Sequence, residues 1–311
     1  MLRCPRCRRE GTLDADLRCA ACGHRMPVED GVVDALYDPP ATVVREAAGL
    51  ARFADLMRAD GWDRERILNL PDEPSPYWHG QRAAFAALLA SGRFRPGDRL
   101  LDVGANSCWA SAAFAREGLE VTALDIARHE LQGLDTGRWW MERDGTSFER
   151  VLGVMFDLPF ATASFDHVFC CEVLHHNSPT TLPRTLREIH RVLRPGGRLS
   201  VIRETLRAPL NPQLRPGAEV AAFEGNEHAY LASTYLGAAR LAGFAVEVAD
   251  PADHWVLSGK PFPDGPHSPQ GKVKLAALEV VRRRPRLRRA YRAHLHHVAG
   301  SVPLSFVATK R

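Results

Sequence analysis

The chain has 311 residues, a formal net charge of +4, 45% hydrophobic residues and 25% charged residues. These proportions fit a globular protein with one full α/β domain plus a small module, and exclude a disordered or fibrous chain. No apolar run approaches the roughly 18–20 residues of a membrane span, and the start MLRCPRCRRE lacks the apolar core of a secretory leader, so a cytoplasmic location is expected.

Seven cysteines are unevenly placed, four of them in the first 22 residues as Cys4-Pro-Arg-Cys7 and Cys19-Ala-Ala-Cys22, with 11 residues between the pairs. In a reducing compartment such paired knuckles read as a structural, tetrahedral Zn2+ site, with Cys4, Cys7, Cys19 and Cys22 as ligands and His24 as the alternative to Cys22. Four thiolates leave no open coordination position, so this metal is not expected to be catalytic. Residues 1–36 are therefore predicted to form a zinc ribbon ending in MPVEDGVVDAL.

Residues 37–98 read as a helical linker or cap. Helical periodicity runs from about 41 to 69 (Val44, Ala47, Ala48, Ala51, Phe53, Leu56). The proline-rich Leu70–Trp78 reads as a loop, and Gln81–Ser91 as a helix.

From Arg99 onward, strand and helix patterns alternate as in a doubly wound fold. Predicted strands are Arg99–Val103, Glu120–Leu124, Arg150–Phe156, His167–Cys171, Arg198–Arg203, Phe244–Ala249 and a terminal Leu304–Thr309. Predicted helices are Ser107–Glu117, Arg128–Arg143, Leu182–Leu193 (stopped by Pro195-Gly196-Gly197) and Ser233–Ala242. The result is a seven-stranded, mostly parallel sheet over residues 99–311. An insertion at about 250–303 is proline-rich from Pro251 to Pro269, then helical and basic: seven of the eleven residues from Arg282 to Arg292 are arginine. Such a run is either a solvated helical face or a surface for phosphate, RNA or an acidic partner. No residue pattern specifies an oligomer.

The most informative segment is Leu100–Ser111, LLDVGANSCWAS, followed 21 residues after Gly104 by Asp125 in VTALD. An apolar strand, a glycine turn and a helix start precede a second strand that ends on a carboxylate. That arrangement suits an adenosine nucleoside, whose ribose hydroxyls the acid accepts. The loop Gly104-Ala105-Asn106-Ser107-Cys108-Trp109 has one glycine, so the G-x-G-x-x-G signal for a dinucleotide pyrophosphate is missing.

Three further motifs follow in order: Phe156-Asp157-Leu158-Pro159-Phe160 with Ser164-Phe165-Asp166, then Glu172-Val173-Leu174-His175-His176, then REIHRVLRPGGRLSVI (Arg187–Ile202). Together with the glycine turn and Asp125 they resemble the class I S-adenosylmethionine (SAM)-dependent methyltransferases, specifically the ubiquinone/menaquinone-type subgroup known as methyltransferase type 11. The resemblance covers roughly Arg99–Ala249 plus the terminal strand. It implies a Rossmann-like methyltransferase fold and SAM as cofactor. By resemblance, Gly104 lets backbone approach the methionine end, Asp102 faces its ammonium, Asp125 accepts the ribose hydroxyls and Ile126 packs on adenine. Asp157 accepts from the adenine amino group beside the Leu158 backbone, and Asn106 and Glu172 complete the cofactor-binding set. Where the family has G-x-G-x-G this chain has Ala105, Asn106 and Cys108; Asn106 tolerates a positive φ, while Cys108 either crowds the ligand or packs into the sheet.

Methyl transfer from a sulfonium needs proximity and orientation, and an acceptor hydroxyl benefits from a base poised near neutral pH. Candidates are His175, His176 and His228, with Glu204 orienting either the acceptor or a histidine. His79 is expected to close over the cofactor, and Trp139 and Trp140 are expected in helix core. The leading expectation is a methyltransferase acting on a small-molecule acceptor (a metabolite, sugar or natural-product intermediate). The alternative is an rRNA or tRNA methyltransferase, because the ribbon is similar to the small zinc-ribbon partner of tRNA methyltransferases and the Arg282–Arg292 helix suits phosphate. A further alternative is a non-catalytic scaffold, favoured if Cys108 closes the pocket.

Overall fold

The computed structural model describes residues 2–210, 227–249, 269–300 and 302–311. The first part of the predicted insertion, 250–268, lies outside them. Two short strands, β1 (Val28–Glu29) and β2 (Val32–Asp34), come first, then helices α1 (Ala41–Ala59), α2 (Arg64–Leu68) and α3 (Pro76–Leu89). The alternating part follows as β3 (Arg99–Val103), α4 (Trp109–Arg116), β4 (Glu120–Asp125), α5 (Gly137–Asp144), β5 (Glu149–Leu152), β6 (Phe165–Cys171), α6 (Leu182–Val192) and β7 (Leu193–Glu204). Beyond it lie α7 (Ala232–Leu241), β8 (Phe244–Val248), α8 (Pro269–Arg283), α9 (Pro285–His294) and β9 (Leu304–Lys310).

The strands form one sheet in the order β1-β2-β5-β4-β3-β6-β7-β9-β8. Pairing is parallel from β2 to β7 and antiparallel at β1, β9 and β8. This is the Rossmann-like methyltransferase fold. Helices cover both faces, so the central strands are apolar along their length: four of the five residues of β3 and six of the seven of β6 are buried. One face packs Phe160, Phe165 and Tyr235 against the buried stripe Leu182, Leu186, Ile189 and Val192 of α6. The other packs Phe85, Trp109, Phe114 and Trp140 against Leu100 and Phe169. The strand order reverses between β3 and β6, and ligands of open α/β sheets bind at the carboxyl ends beside such a reversal.

Four local expectations change. Among the described residues the sheet has nine strands rather than seven, because Val28–Glu29 and Val32–Asp34 fold as a hairpin whose second strand pairs with β5. The segment from Arg128 is not one helix: a Cβ at Gly133 would lie 2.6 Å from His129 N and 2.7 Å from the Ala127 carbonyl, so the chain coils tightly there, and α5 starts at Gly137. The loop predicted from Leu70 ends early, because Ser75 caps α3 by accepting from Trp78 N at 3.2 Å and a proline in the first turn needs no donor. The third core strand stops at Leu152, its last paired residue, with a closing ladder bond from Gly153 N to Asp125 O.

Candidate active site

A cavity of about 810 Å³ opens at the carboxyl ends of β3, β4 and β6, roofed by α1 and α3. Its floor is the turn after β3. Gly104 adopts φ +72°, and a Cβ there would lie 2.3 Å from Val173 Cγ2, so glycine is required where two loops meet. Asn106 (φ 43°) and Cys108 (φ 57°) also take left-handed backbone. Cys108 is fully buried in the core under α4, with its Sγ on the Asn106 carbonyl at 3.6 Å, and does not line the cavity. Of the two outcomes open for Cys108, packing into the sheet is the one found.

Asp102, Gly104, Asn106, Asp125 and Ile126 all line this wall. Asp102 is buried and accepts a hydrogen bond from Ser111 Oγ at 2.6 Å. Burial pushes its carboxyl up to about 7, against the Ser111 bond, with the Asp125 charge adding to the rise. Asp125 accepts from Asn106 N (2.9 Å) and Ala127 N (3.0 Å), yet burial still holds its carboxyl above the ordinary range. Asn106 Nδ2 donates to Gln132 Oε1 at 2.6 Å, and its buried Oδ1 has no partner among the described residues.

The opposite wall carries Glu46, Tyr77, Glu172, His175, His176 and Glu227. Glu172 accepts from Tyr77 Oη (2.6 Å) and Arg203 Nε (3.1 Å). Burial raises its carboxyl even so. His175 Nδ1 lies 3.1 Å from Glu204 Oε2, and His176 Nδ1 lies 2.8 Å from Glu46 Oε1. Glu204 is fully buried at the end of β7 and accepts from the backbone N–H groups of Val173, Leu174 and His175. Burial alone would neutralise this pair; the hydrogen bonds and mutual attraction outweigh it, lowering Glu204 and raising His175.

Other predicted residues sit elsewhere. Glu204 does not line the cavity and orients His175 from behind. His228 also lies outside the lining; its N–H donates to the His175 carbonyl and its ring stacks on Tyr230. His79 does not line the cavity either, and lies beside Arg82 at 3.3 Å. Trp140 is buried helix core, with Nε1 donating to the Ser107 carbonyl. Asp157 and Leu158 require a correction. The Asp157 carboxylate faces the amino-terminal module, paired with Arg3 (2.7 Å) and Arg8 (2.6 Å). The Leu158 N–H donates to Glu188 at 3.0 Å, so neither group is presented to the cavity. Two arginines of the first eight residues claim the acid, and no local pattern announces that. Glu46 and Tyr77 were missed; the signal for Glu46 is an acid on the buried stripe Val43, Glu46, Ala54 and Met57 of α1.

The four amino-terminal cysteines converge. Cys4 Sγ lies 3.5 Å from Cys22 Sγ, Cys7 Sγ 3.6 Å from Cys19 Sγ, and all four within 4.8 Å of one another. Tetrahedral zinc with Zn–S bonds near 2.3 Å separates its sulfurs by roughly 3.8 Å, so the donor set fits one such ion. This module is bolted to the active-site loop. Buried Arg3 reaches Asp157, Glu188 and the Leu158 carbonyl, and Leu2 bridges Phe160. The same loop sends Gly153, Val154, Met155 and Phe156 into the cavity wall.

Residues 101–201 match a protein-family model described as a methyltransferase domain. A malonyl-acyl carrier protein O-methyltransferase from Serratia marcescens is 34% identical over 117 residues, covering 38% of this chain and 42% of that protein. The 27-O-demethylrifamycin SV methyltransferase of Amycolatopsis mediterranei is 32% identical over 108 residues, covering 34% of this chain and 39% of that protein. The chain thus spans less than half the length of either relative. A solved complex of the Haloferax volcanii Trm112 methyltransferase activator with a methyltransferase shares the fold at 20% identity and a TM-score of 0.50, over 78% of this chain and 96% of that one. Residues 101–201 thus carry a methyltransferase domain.

Proposed function

We propose that this protein transfers a methyl group from SAM to a small-molecule acceptor. One observation carries the reading: a single cavity joins a wall of buried carboxylates without a cationic partner among the described residues to a wall of oriented imidazoles, and the Arg282–Arg292 segment contributes no described residue to its lining. SAM supplies an electrophilic methyl on a cationic sulfonium. In this reading Asp102 receives the methionine ammonium, Asp125 accepts the ribose hydroxyls and Ile126 packs on adenine. Asn106, through its unpartnered Oδ1, takes a donor of the ligand. His175 and His176 face the acceptor, and His175, held by Glu204, accepts or holds the acceptor's proton. Glu172, fixed between Tyr77 and Arg203, shapes the space between the walls. The relatives' acceptors, an acyl-carrier-bound malonyl group and a rifamycin, are chemically far apart, consistent with an acceptor chosen by each protein's own walls.

The amino-terminal module enters as a Zn2+ ribbon on Cys4, Cys7, Cys19 and Cys22. It acts as a buttress: through Arg3 and Arg8 it holds the loop that forms the adenine-side wall. The RNA reading keeps one supporting observation, the exposed Arg283, Arg284, Arg286 and Arg289 of α8 and α9. The scaffold reading loses its motive, since Cys108 packs away from the cavity.

Calorimetry with SAM and its demethylated product, with wild type and Asp125→Ala, tests the donor half. Tight binding that depends on Asp125 is expected, and an affinity indifferent to that substitution overturns it. For the acceptor half, methyl transfer to hydroxylated small molecules is compared with transfer to tRNA and rRNA. RNA labelling whose rate falls steeply with salt would replace the small-molecule reading.

A further inference from the structure

The acceptor wall holds a cluster that a methyl donor alone does not explain. One ring nitrogen of His175, one of His176 and a carboxylate oxygen of Glu227 lie within 4.8 Å of one another at the cavity lining. Adjacent ligands of one first-row divalent ion, at metal–ligand distances near 2.1 Å, stand roughly 3–3.5 Å apart, a difference that side-chain rotation closes. Both imidazoles carry a carboxylate on Nδ1: Glu204 at 3.1 Å behind His175, and Glu46 at 2.8 Å behind His176. Carboxylate–histidine pairing of this kind fixes the tautomer, turns Nε2 into the ligand atom and raises its basicity.

The two carboxylates come from opposite ends of the chain's long-range wiring, Glu46 from α1 and Glu204 from the end of β7. Both are buried, and Glu204 is further held by three backbone N–H groups. Orienting two neighbouring rings in this way costs two buried charges. Packing or a single general base would need neither. Two imidazoles and one carboxylate on one face, with the other positions open to a cavity, is the donor set of a catalytic divalent site rather than a closed structural one.

We infer that His175, His176 and Glu227 bind a first-row divalent cation whose open positions take an acceptor presenting a hydroxyl beside a second oxygen, such as a vicinal diol, a catechol or an α-hydroxycarbonyl. The inference deepens the proposed methyl transfer and rests on that reading for the acceptor's role. Bound to the cation, the hydroxyl ionises near neutral pH and its proton leaves to solvent through the cavity mouth, so that here His175 serves as a ligand in place of taking that proton. The two oxygens chelate, which fixes the nucleophile's direction as well as its charge. Protons compete with the metal for both imidazoles, so binding weakens as pH falls.

The test uses the full chain, stripped of metal and titrated with Co2+. Two ions per chain are expected, one showing thiolate-to-cobalt charge-transfer absorption at the cysteines and one without it. His176→Ala and Glu227→Ala should each weaken the second ion at least about tenfold and leave the thiolate absorption intact. One ion per chain, or a second ion indifferent to both substitutions, overturns the site. SAM calorimetry on the same samples separates the two readings. Two ions without SAM binding defeat the donor assignment and leave the metal site standing; one ion with SAM binding intact does the reverse.

Discussion

The two walls of the cavity treat buried charge in opposite ways. On the donor wall, Asp102 and Asp125 have no cationic partner among the described residues, and burial pushes Asp102 up to about 7 and Asp125 above its ordinary range. On the other wall, Glu204 is buried just as deeply yet ends below its ordinary range, because His175 and three backbone N–H groups stabilise its charge. An acid left without a cationic partner in a cavity is open to a cationic ligand. An acid already compensated is fixing the position of something else.

The largest effect that tests this contrast is on stability. Glu204→Ala strips the charge from a fully buried pair and leaves three backbone donors unpaired, and should cost about 3–5 kcal/mol in denaturant unfolding. A loss under 1 kcal/mol would mean that Glu204 is not the anchor of the His175 loop. Next comes Asp125→Ala, which on the proposed reading removes two charge-assisted hydrogen bonds to the ribose and should weaken SAM by roughly a hundredfold or more in calorimetry.

A pH series sharpens the contrast further. With the Asp102 carboxyl raised to about 7 in the unliganded protein, it is neutral below that pH and cannot receive an ammonium as an anion. SAM affinity should therefore climb as pH rises from about 5 to 7, by up to about tenfold per unit, and level off above that. Asp102→Asn should flatten that slope. Stability of the unliganded protein carries the opposite sign. A raised carboxyl contributes stability fully below its unfolded pKa, and that contribution is lost as pH rises through the folded value near 7. A SAM affinity that does not climb with pH, or that climbs equally in Asp102→Asn, would refute the assignment.

Smaller effects probe the buttress. Arg3→Ala breaks buried contacts to Asp157, Glu188 and the Leu158 carbonyl, and should lower stability by about 1–3 kcal/mol and SAM affinity by a few-fold. Stability that falls with no change in SAM affinity would confine the ribbon to holding the fold. Arg289→Ser, on an exposed face of α9, should leave both within about 0.5 kcal/mol.

The donor wall was legible because it is local. A strand, a glycine turn and a strand-ending acid follow from short-range pattern, and Asn106 was foreseen as a residue that tolerates positive φ, the backbone it takes at 43°. The acceptor wall was legible only in its adjacent pair, His175 and His176. Their partners, Glu204 and Glu46, lie 29 residues downstream on another strand and on a helix far upstream, where side-chain chemistry alone does not distinguish them from other acids. Asp157 shows the limit most plainly: its motif suggested a ligand contact, and an arginine 154 residues away took the carboxylate instead.

What the residues determine by themselves is thus the sheet's central strands, the turn at Gly104, the acid at Asp125 and the paired cysteine knuckles, all of which depend on backbone periodicity and short spacings. The tertiary structure decides which buried carboxylates are compensated. That choice sets whether an acid stays open to a ligand, as Asp102 does on the proposed reading, or holds an imidazole, as Glu204 does, because the energy of a buried charge depends on neighbours brought together only by folding.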